Sequence, residues 1–147
     1  MNTMEKATIH QKAAVLGYAG VIPFAGAAAL IMLGTTDTRP KALSGFLVYS
    51  AVILSFLGGI RWGAAATAST GPARELVLSV LPSLWSAFFL WWPSGNGAVW
   101  GLMTGFILLG LADWFSPGLN VPSWMRPLRM RLTLAVVACH LVVVSGI

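Results

Sequence analysis

The chain has 147 residues, of which 57% are hydrophobic and 9% charged, and its formal net charge is +5. Soluble domains carry about 25% charged residues, so this composition excludes an ordinary water-facing surface and indicates one membrane-embedded domain. The basic residues lie between apolar runs, a pattern typical of topology determinants that argues against a nucleic-acid partner. A single cysteine excludes a disulfide framework or a multi-cysteine metal site within one chain.

Five apolar runs predict five membrane-spanning helices, since each is near the ~20 residues that cross a bilayer. The runs are too long and too unalternating for barrel strands. The predicted fold class is therefore all-α, a bundle of five transmembrane helices forming a single domain over residues 1–147. The predicted spans are residues 13–33, 43–66, 76–92, 97–115 and 128–144.

The first run is longer than the ~7–15 apolar residues of a signal peptide, so we expect it to be retained as a span. Pro23 lies inside this run, and Pro82 lies inside the short third run. Because proline removes a backbone hydrogen bond, both helices are predicted to bend there. Ser79, Ser83 and Ser86 surround Pro82 at helical spacing and can bond to the carbonyls that it frees.

Lysines and arginines near the ends of the runs predict the orientation of the bundle. One side of the membrane receives most of them, whereas the other receives only Arg39 and Lys41. Basic loops are retained on the cytoplasmic side, so we expect a cytoplasmic N-terminus and a C-terminus outside. The residues assigned to the cytoplasmic side are Lys6, Lys12, Arg74, Arg126, Arg129 and Arg131.

Arg61, in the stretch SFLGGIRWG, is an ionisable residue within the second run. It lies about 8 Å from the predicted cytoplasmic end of that run, and Asp113 lies at a similar depth in the fourth run. Intramembrane charges usually face the bundle and pair, and a guanidinium fork suits a carboxylate. Two interpretations stay open: an Arg61–Asp113 pair, or an arginine that extends to the inner headgroups.

Glycines at four-residue spacing predict where helix backbones approach closely. Gly59 and Gly63 form one such pair in the second run. Gly97, Gly101 and Gly105 repeat the spacing along the fourth run. We therefore expect the second and fourth spans to be neighbours, which would also bring Arg61 to Asp113.

His140 lies in the predicted outer half of the fifth run and can carry a proton or bind a metal or haem. The other histidine, His10, is predicted to lie on the opposite side of the membrane. We therefore expect no metal or haem site, and a neutral His140 hydrogen-bonded to another helix. Tyr18 and Tyr49 are the expected partners.

The proline-rich segment of residues 116–131 precedes and enters the fifth run. Its tryptophan can lie in the headgroup region while its arginines meet anionic lipids. The segment is predicted to anchor the protein at the interface, or alternatively to dock a lipid or a partner protein. The anchoring residues are Trp124, Arg126, Arg129 and Arg131.

Four stretches together resemble an uncharacterised family of small bacterial membrane proteins whose mitochondrial relatives include transmembrane protein sixty-nine. The resemblance covers nearly the whole chain and implies an inner membrane of bacterial or mitochondrial type. It implies no activity, substrate or cofactor. The stretches are LGYAGVIPF (16–24), YSAVILSFLGGIRWG (49–63), SVLPSL (79–84) and VPSWMRPLRMRLT (121–133).

We expect a non-enzymatic, multi-pass protein of an inner membrane that acts by association, as an accessory or assembly factor of a membrane complex. Its expected partners are membrane lipids and a partner membrane protein, and we expect no cofactor, metal ligand or catalytic residue. The alternative is a protein that binds or transports a quinone, lipid or ion near Arg61 and Asp113. A membrane enzyme is the third hypothesis, disfavoured because only four acidic residues are present.

Overall fold

A computed structural model describes residues 3–67, 73–91, 96–115 and 124–147, with side chains from Ile9 onward. Every secondary-structure element in these ranges is an α-helix, and five helical segments are long and apolar enough to cross a membrane. The predicted all-α class with five spans is confirmed. The helices are α1 (Thr3–Ala19), α2 (Ile22–Leu33), α3 (Thr38–Ala66), α4 (Ala73–Trp91), α5 (Asn96–Phe115) and α6 (Met125–Gly146).

The first span consists of two helices and not of one helix bent at Pro23. α1 ends at Ala19 and α2 begins at Ile22, so Pro23 lies in the first turn of α2. Proline is tolerated there because a first-turn N–H has no partner within the helix. The break frees the carbonyl of Gly20, which accepts a hydrogen bond of 2.9 Å from the Tyr49 hydroxyl on α3. Tyr49 thus ties the break to the bundle.

The helices extend beyond several predicted spans. α3 begins at Thr38, five residues before the predicted start of its span, and α6 begins at Met125, three residues before its predicted start. Hydropathy detects the part of a helix that lies in hydrocarbon, whereas a helix continues into the headgroup region. The predicted end of the third span at residue 92 and the segment 116–123 lie outside the described residues.

α3 is the central helix of the bundle. It packs chiefly against α4, next against α2, and also against α5. α5 packs mainly against α6, and α2 also contacts α6, whereas α1 has its contacts with α6. The second and fourth predicted spans, α3 and α5, are therefore in contact. The more extensive contacts of α3 are with α4 and α2, and those of α5 are with α6 and α4.

The glycine spacing marked close packing in α5 and missed it in α3. Side chains added at Gly59 and Gly63 would meet no other atom within 4 Å, so these two glycines are not at a helix contact. Gly58 is the close-packed residue, because a Cβ there would lie 2.6 Å from the Ser79 carbonyl oxygen of α4. Adjacent helical residues point about 100° apart, so Gly58 faces α4 while the neighbouring Gly59 does not. The four-residue spacing selected Gly59 and therefore the wrong one of these two glycines.

The α5 glycines accommodate aromatic side chains of α4. A Cβ at Gly101 would overlap the Phe89 ring, and one at Gly105 would lie 2.6 Å from Leu54 Cδ2 of α3 and 2.9 Å from the Trp85 ring. The Trp85 indole donates a 2.8 Å hydrogen bond to the Gly101 carbonyl. Gly97, the third member of the predicted stripe, is exposed. Gly101 thus faces α4, while Gly105 faces both α4 and the expected neighbour α3.

Candidate functional site

Four charged side chains form a connected cluster among α3, α4, α5 and α6. Arg61 Nη1 lies 2.8 Å from Asp113 Oδ1, and Arg61 Nη2 lies 3.1 Å from Glu75 Oε2. Arg129 Nη2 lies 2.6 Å from the other Asp113 oxygen, Oδ2. Each of the four side chains is at most 12% exposed. The cluster therefore contains two arginines and two carboxylates in the order Glu75–Arg61–Asp113–Arg129.

Helix ends bring these residues to one depth. Arg61 and Asp113 precede the C-terminal ends of α3 and α5 by five and two residues, while Glu75 and Arg129 follow the N-terminal ends of α4 and α6. Antiparallel neighbours place those four ends on the same side of the bundle, which we call the charged end. Charges that are costly in hydrocarbon thus face one another across the helices and not the lipid.

The structure brings Arg61 to Asp113, and Arg61 faces the bundle. The residue is 7% exposed, so its guanidinium does not extend to headgroups. Glu75 was missed by the sequence interpretation. Its signal was available, because it is one of only four acidic residues and directly precedes the predicted third span. Two carboxylates on one guanidinium use both edges of its planar fork.

Arg129 was predicted to anchor the protein at the interface, but the structure places it inside the bundle. Its side chain is 11% exposed and pairs with Asp113. Nη2 is fully buried, and no described atom accepts a well-oriented hydrogen bond from it. Arg129 is thus the terminal member of the cluster, with one carboxylate, whereas Arg61 has two.

The other predicted anchors differ in their environments. Arg126 and Arg131 are exposed. Trp124 stacks on His10 of α1, with ring centroids 4.3 Å apart. This contact bridges α1 and α6 at the charged end, and it also places His10 far along the bundle from His140.

His140 lies in the aromatic core and bonds to a serine, not to the expected tyrosines. It is 0% exposed and is surrounded by the rings of Phe24, Phe46 and Phe106. Its Nδ1 lies 2.8 Å from the Val136 carbonyl oxygen, and its Nε2 lies 3.3 Å from Ser50 Oγ on α3. Tyr18 is about half exposed, at 47%.

His140 is a helix-joining residue in this arrangement. Its Nδ1–H donates to the carbonyl, which leaves Nε2 of the neutral ring as an acceptor. The one hydroxyl proton of Ser50 is shared between Nε2, 3.3 Å away, and the Phe46 carbonyl oxygen, 2.7 Å away. Within the described ranges, no three His, Cys, Asp or Glu side chains lie close enough together to hold a metal ion.

An apolar groove of about 480 Å³ runs between α1 and α3, with α6 behind it. α1 and α2 are separate helices on either side of Gly20, and the main contact of α1 with another helix is with α6, so the space lies between α1 and α3. Leu16 and Phe56 on its two rims are exposed, so the groove opens toward the lipid-facing surface. The lining residues of α3 are Ile53, Phe56, Leu57 and Ile60, and those of α6 include Leu128, Arg129, Leu132, Thr133 and Val136.

The groove ends at the charged cluster. Its α6 wall runs from Val136, near the centre of the bundle, to Met125, a length of about 17 Å. Arg129 is the charged residue in this wall, and it links the groove to Asp113. The stacked His10 and Trp124 rings lie at the same end. The geometry combines a long apolar channel with a guanidinium near one end.

A model of the family described as "Protein of unknown function (DUF3429)" matches residues 9–145, which include every span and the whole cluster. The chain belongs to this family.

Two curated relatives of this DUF3429 protein are called Transmembrane protein 69. The one from Xenopus tropicalis is 37% identical over 130 residues, covering 83% of this chain and 49% of the relative. The one from Mus musculus is 36% identical over 122 residues, covering 79% of this chain and 48% of the relative. The chain thus spans about half the length of the curated relatives it matches. None of the solved structures matches it.

The family resemblance expected from the sequence is confirmed, and the protein is a multi-pass membrane protein.

Proposed function

We propose that this DUF3429 protein is a non-enzymatic protein of a bacterial or mitochondrial inner membrane that binds a lipid-like small molecule in the groove between α1 and α3. The observation that carries the proposal is the groove itself, an apolar channel of about 480 Å³ that opens sideways toward lipid. Pockets of about 300–1,000 Å³ hold single small molecules. A lateral opening admits a molecule that is already dissolved in the bilayer.

The lining disfavours an ion as the bound species. Among the described residues that line the groove, only Arg129 is charged and only Thr133 carries a hydroxyl, whereas the others are apolar or aromatic. An ion requires several convergent oxygens, and a quinone or lipid requires mainly apolar contact with one polar group at its end. The ligand site that the sequence suggested near Arg61 and Asp113 is therefore proposed to be the adjacent groove, which Arg129 connects to Asp113.

The first experiment uses native mass spectrometry of the protein extracted in a mild detergent. We expect wild type to retain a lipid-like molecule, and Ala13→Phe to lose it, because Ala13 lines the groove. Ala19→Phe is the matched control: it lies on the same helix, is exposed and does not line the groove.

Equal retention by both variants, or a wild type without any adduct, would contradict the proposal. A stoichiometric protein partner without a small molecule would instead support the accessory-factor hypothesis. Thermal unfolding of both variants checks that the bulky side chain has not unfolded the bundle.

A further inference from the structure

We infer that the groove selects a single-tailed amphiphile whose headgroup is an oxyanion, a carboxylate or a phosphate, held by Arg129. This inference rests on the proposed function and adds the chemistry that the groove recognises. It depends on three features of the charged end: the position of Arg129 in the groove wall, its incomplete pairing, and the surplus of positive charge around it.

The first feature is position. Arg129 lines the groove near one end, while the apolar lining continues about 10 Å along α6 from Arg129 to Val136. A tail lying along Leu132 and Val136 would bring its headgroup to the guanidinium. A groove of about 480 Å³ suits one chain, which favours a single-tailed molecule.

The second feature is the unused donor capacity of Arg129. A guanidinium has five N–H donors, and a buried donor without an acceptor costs free energy. Nη2 is buried and lies 2.6 Å from Asp113 Oδ2, so this nitrogen faces the carboxylate and not the groove. Among the described residues Asp113 is the one carboxylate paired with Arg129, so the oxygens of a headgroup can accept from the N–H groups that remain, on Nε and Nη1.

The third feature is that the cluster tolerates such a ligand. Asp113 remains paired with Arg61 when Arg129 shares its donors with a headgroup, since Arg61 Nη1 binds the other carboxylate oxygen. Exposed Arg74, Arg126 and Arg131 lie toward the same end. Positive charge therefore exceeds negative charge among the described side chains there, which favours an anion over a neutral or cationic headgroup.

The test compares three probes with the same tail in nanodiscs of zwitterionic lipid: dodecanoate, dodecanol and dodecylamine. Binding is measured by native mass spectrometry after titration. Wild type should bind dodecanoate about tenfold or more tightly than dodecanol, with dodecylamine weakest, as expected for one charge-assisted hydrogen-bonded pair. Dodecyl phosphate should match dodecanoate, and free inorganic phosphate should compete with neither, because the tail supplies the apolar contacts.

Arg129→Gln should remove the preference for dodecanoate and leave dodecanol binding unchanged. Arg131→Gln is the matched control, since it removes an exposed arginine from the same helix and lies outside the groove lining. It should retain the preference. If Arg129→Gln also loses dodecanol binding, Arg129→Lys replaces it: the charge is kept, but the two-pronged fork is lost, so the preference should fall.

The outcomes separate this inference from the proposed function. Equal binding of dodecanoate and dodecanol by wild type overturns the headgroup inference and leaves the groove as a binding site. A preference that survives Arg129→Gln or Arg129→Lys, or that falls equally in Arg131→Gln, shows that general surface charge selects the anion and overturns the role of Arg129. Absence of binding by all probes overturns both proposals.

Discussion

At the scale of single residues, the central feature is that Asp113 serves two arginines. Arg61 approaches one of its oxygens and Arg129 approaches the other. Each ion pair in a low-dielectric interior must offset the desolvation of its members, so removing one member costs more than the pair contributes. Substituting Asp113 would therefore remove a carboxylate partner from two buried arginines at once.

We expect Asp113→Asn to lower the free energy of unfolding in detergent by about 3–5 kcal/mol, since two buried guanidinium groups lose their shared carboxylate. Asp37→Asn is the matched control. Asp37 is exposed at the start of α3 and makes no side-chain capping bond. Its substitution should change stability by less than about 0.5 kcal/mol. Similar effects of the two substitutions, measured by denaturant titration, would show that the cluster does not stabilise the bundle.

Glu75 extends this reasoning to a second carboxylate. It is paired with Arg61 inside the bundle and lies 3.7 Å from the exposed Arg74. The weaker, solvent-facing contact contributes little. The buried contact links α4 to α3 near the point where α3 ends and α4 begins. The ion pair therefore joins two helices that are consecutive in the chain.

At the scale of helices, close approach is decided by which residue faces the neighbour. α3 and α4 form the most extensive contact of the bundle, with Gly58 against Ser79 and Pro82. Lipid supplies no hydrophobic drive between helices, so close packing at small residues stabilises such contacts. Ser79 and Ser86 bond to carbonyls of their own helix, which keeps those hydroxyls satisfied around Pro82.

Gly58→Ala is expected to lower stability by about 1–3 kcal/mol, because the new methyl group would lie 2.6 Å from the Ser79 carbonyl oxygen and force α3 and α4 apart. The adjacent Gly59→Ala is the control, since its methyl group would meet nothing within 4 Å. It should be neutral or stabilising by up to about 1 kcal/mol, as alanine favours a helix. The measurement is thermal and denaturant unfolding of both variants in the same detergent. The reverse order would mean that the two helices pack through the opposite face.

Gly110 is close-packed although it has no small neighbour at four-residue spacing. The spacing that indicates helix contacts elsewhere in α5 would therefore predict that Gly110 tolerates a larger side chain. In the structure a Cβ at Gly110 would lie 2.9 Å from Thr133 of α6. Gly101 and Gly110 therefore both face neighbouring helices, one toward α4 and the other toward α6.

At the scale of the whole molecule, five spans require that the two termini lie on opposite sides of the membrane. The distribution of basic residues predicts which side is which. The charged end carries Arg74 and Arg126, while Arg39 and Lys41 begin α3 at the other end. The charged end is therefore predicted to face the cytoplasm or the mitochondrial matrix.

Reporter fusions test this orientation. A reporter at the C-terminus should be active outside the cytoplasm, whereas one inserted in residues 67–74 should be active inside. Placing extra lysines beside Arg39 should weaken the bias without changing the number of spans. Activity of both fusions on the same side would contradict the five-span arrangement, and exchanged sides would contradict the orientation.

Properties that vary along the membrane normal could be predicted from the amino-acid sequence: the five spans, their order, and the shared depth of Arg61 and Asp113. These follow from hydropathy and from distance to the end of a run, which are local quantities. The family could also be recognised from four stretches of the sequence.

The rotation of each helix about its axis and the break between α1 and α2 become apparent only in the folded bundle. A soluble helix reveals its inward face by an apolar stripe, but a helix in lipid is apolar all round, so the sequence shows little difference between Gly58 and Gly59. Three features depend on contacts between separate helices: the pairing of Arg129 with Asp113, the contact of His140 with Ser50, and the bond from Tyr49 to the break at Gly20. The groove exists because of those contacts, and no single stretch of sequence encodes it.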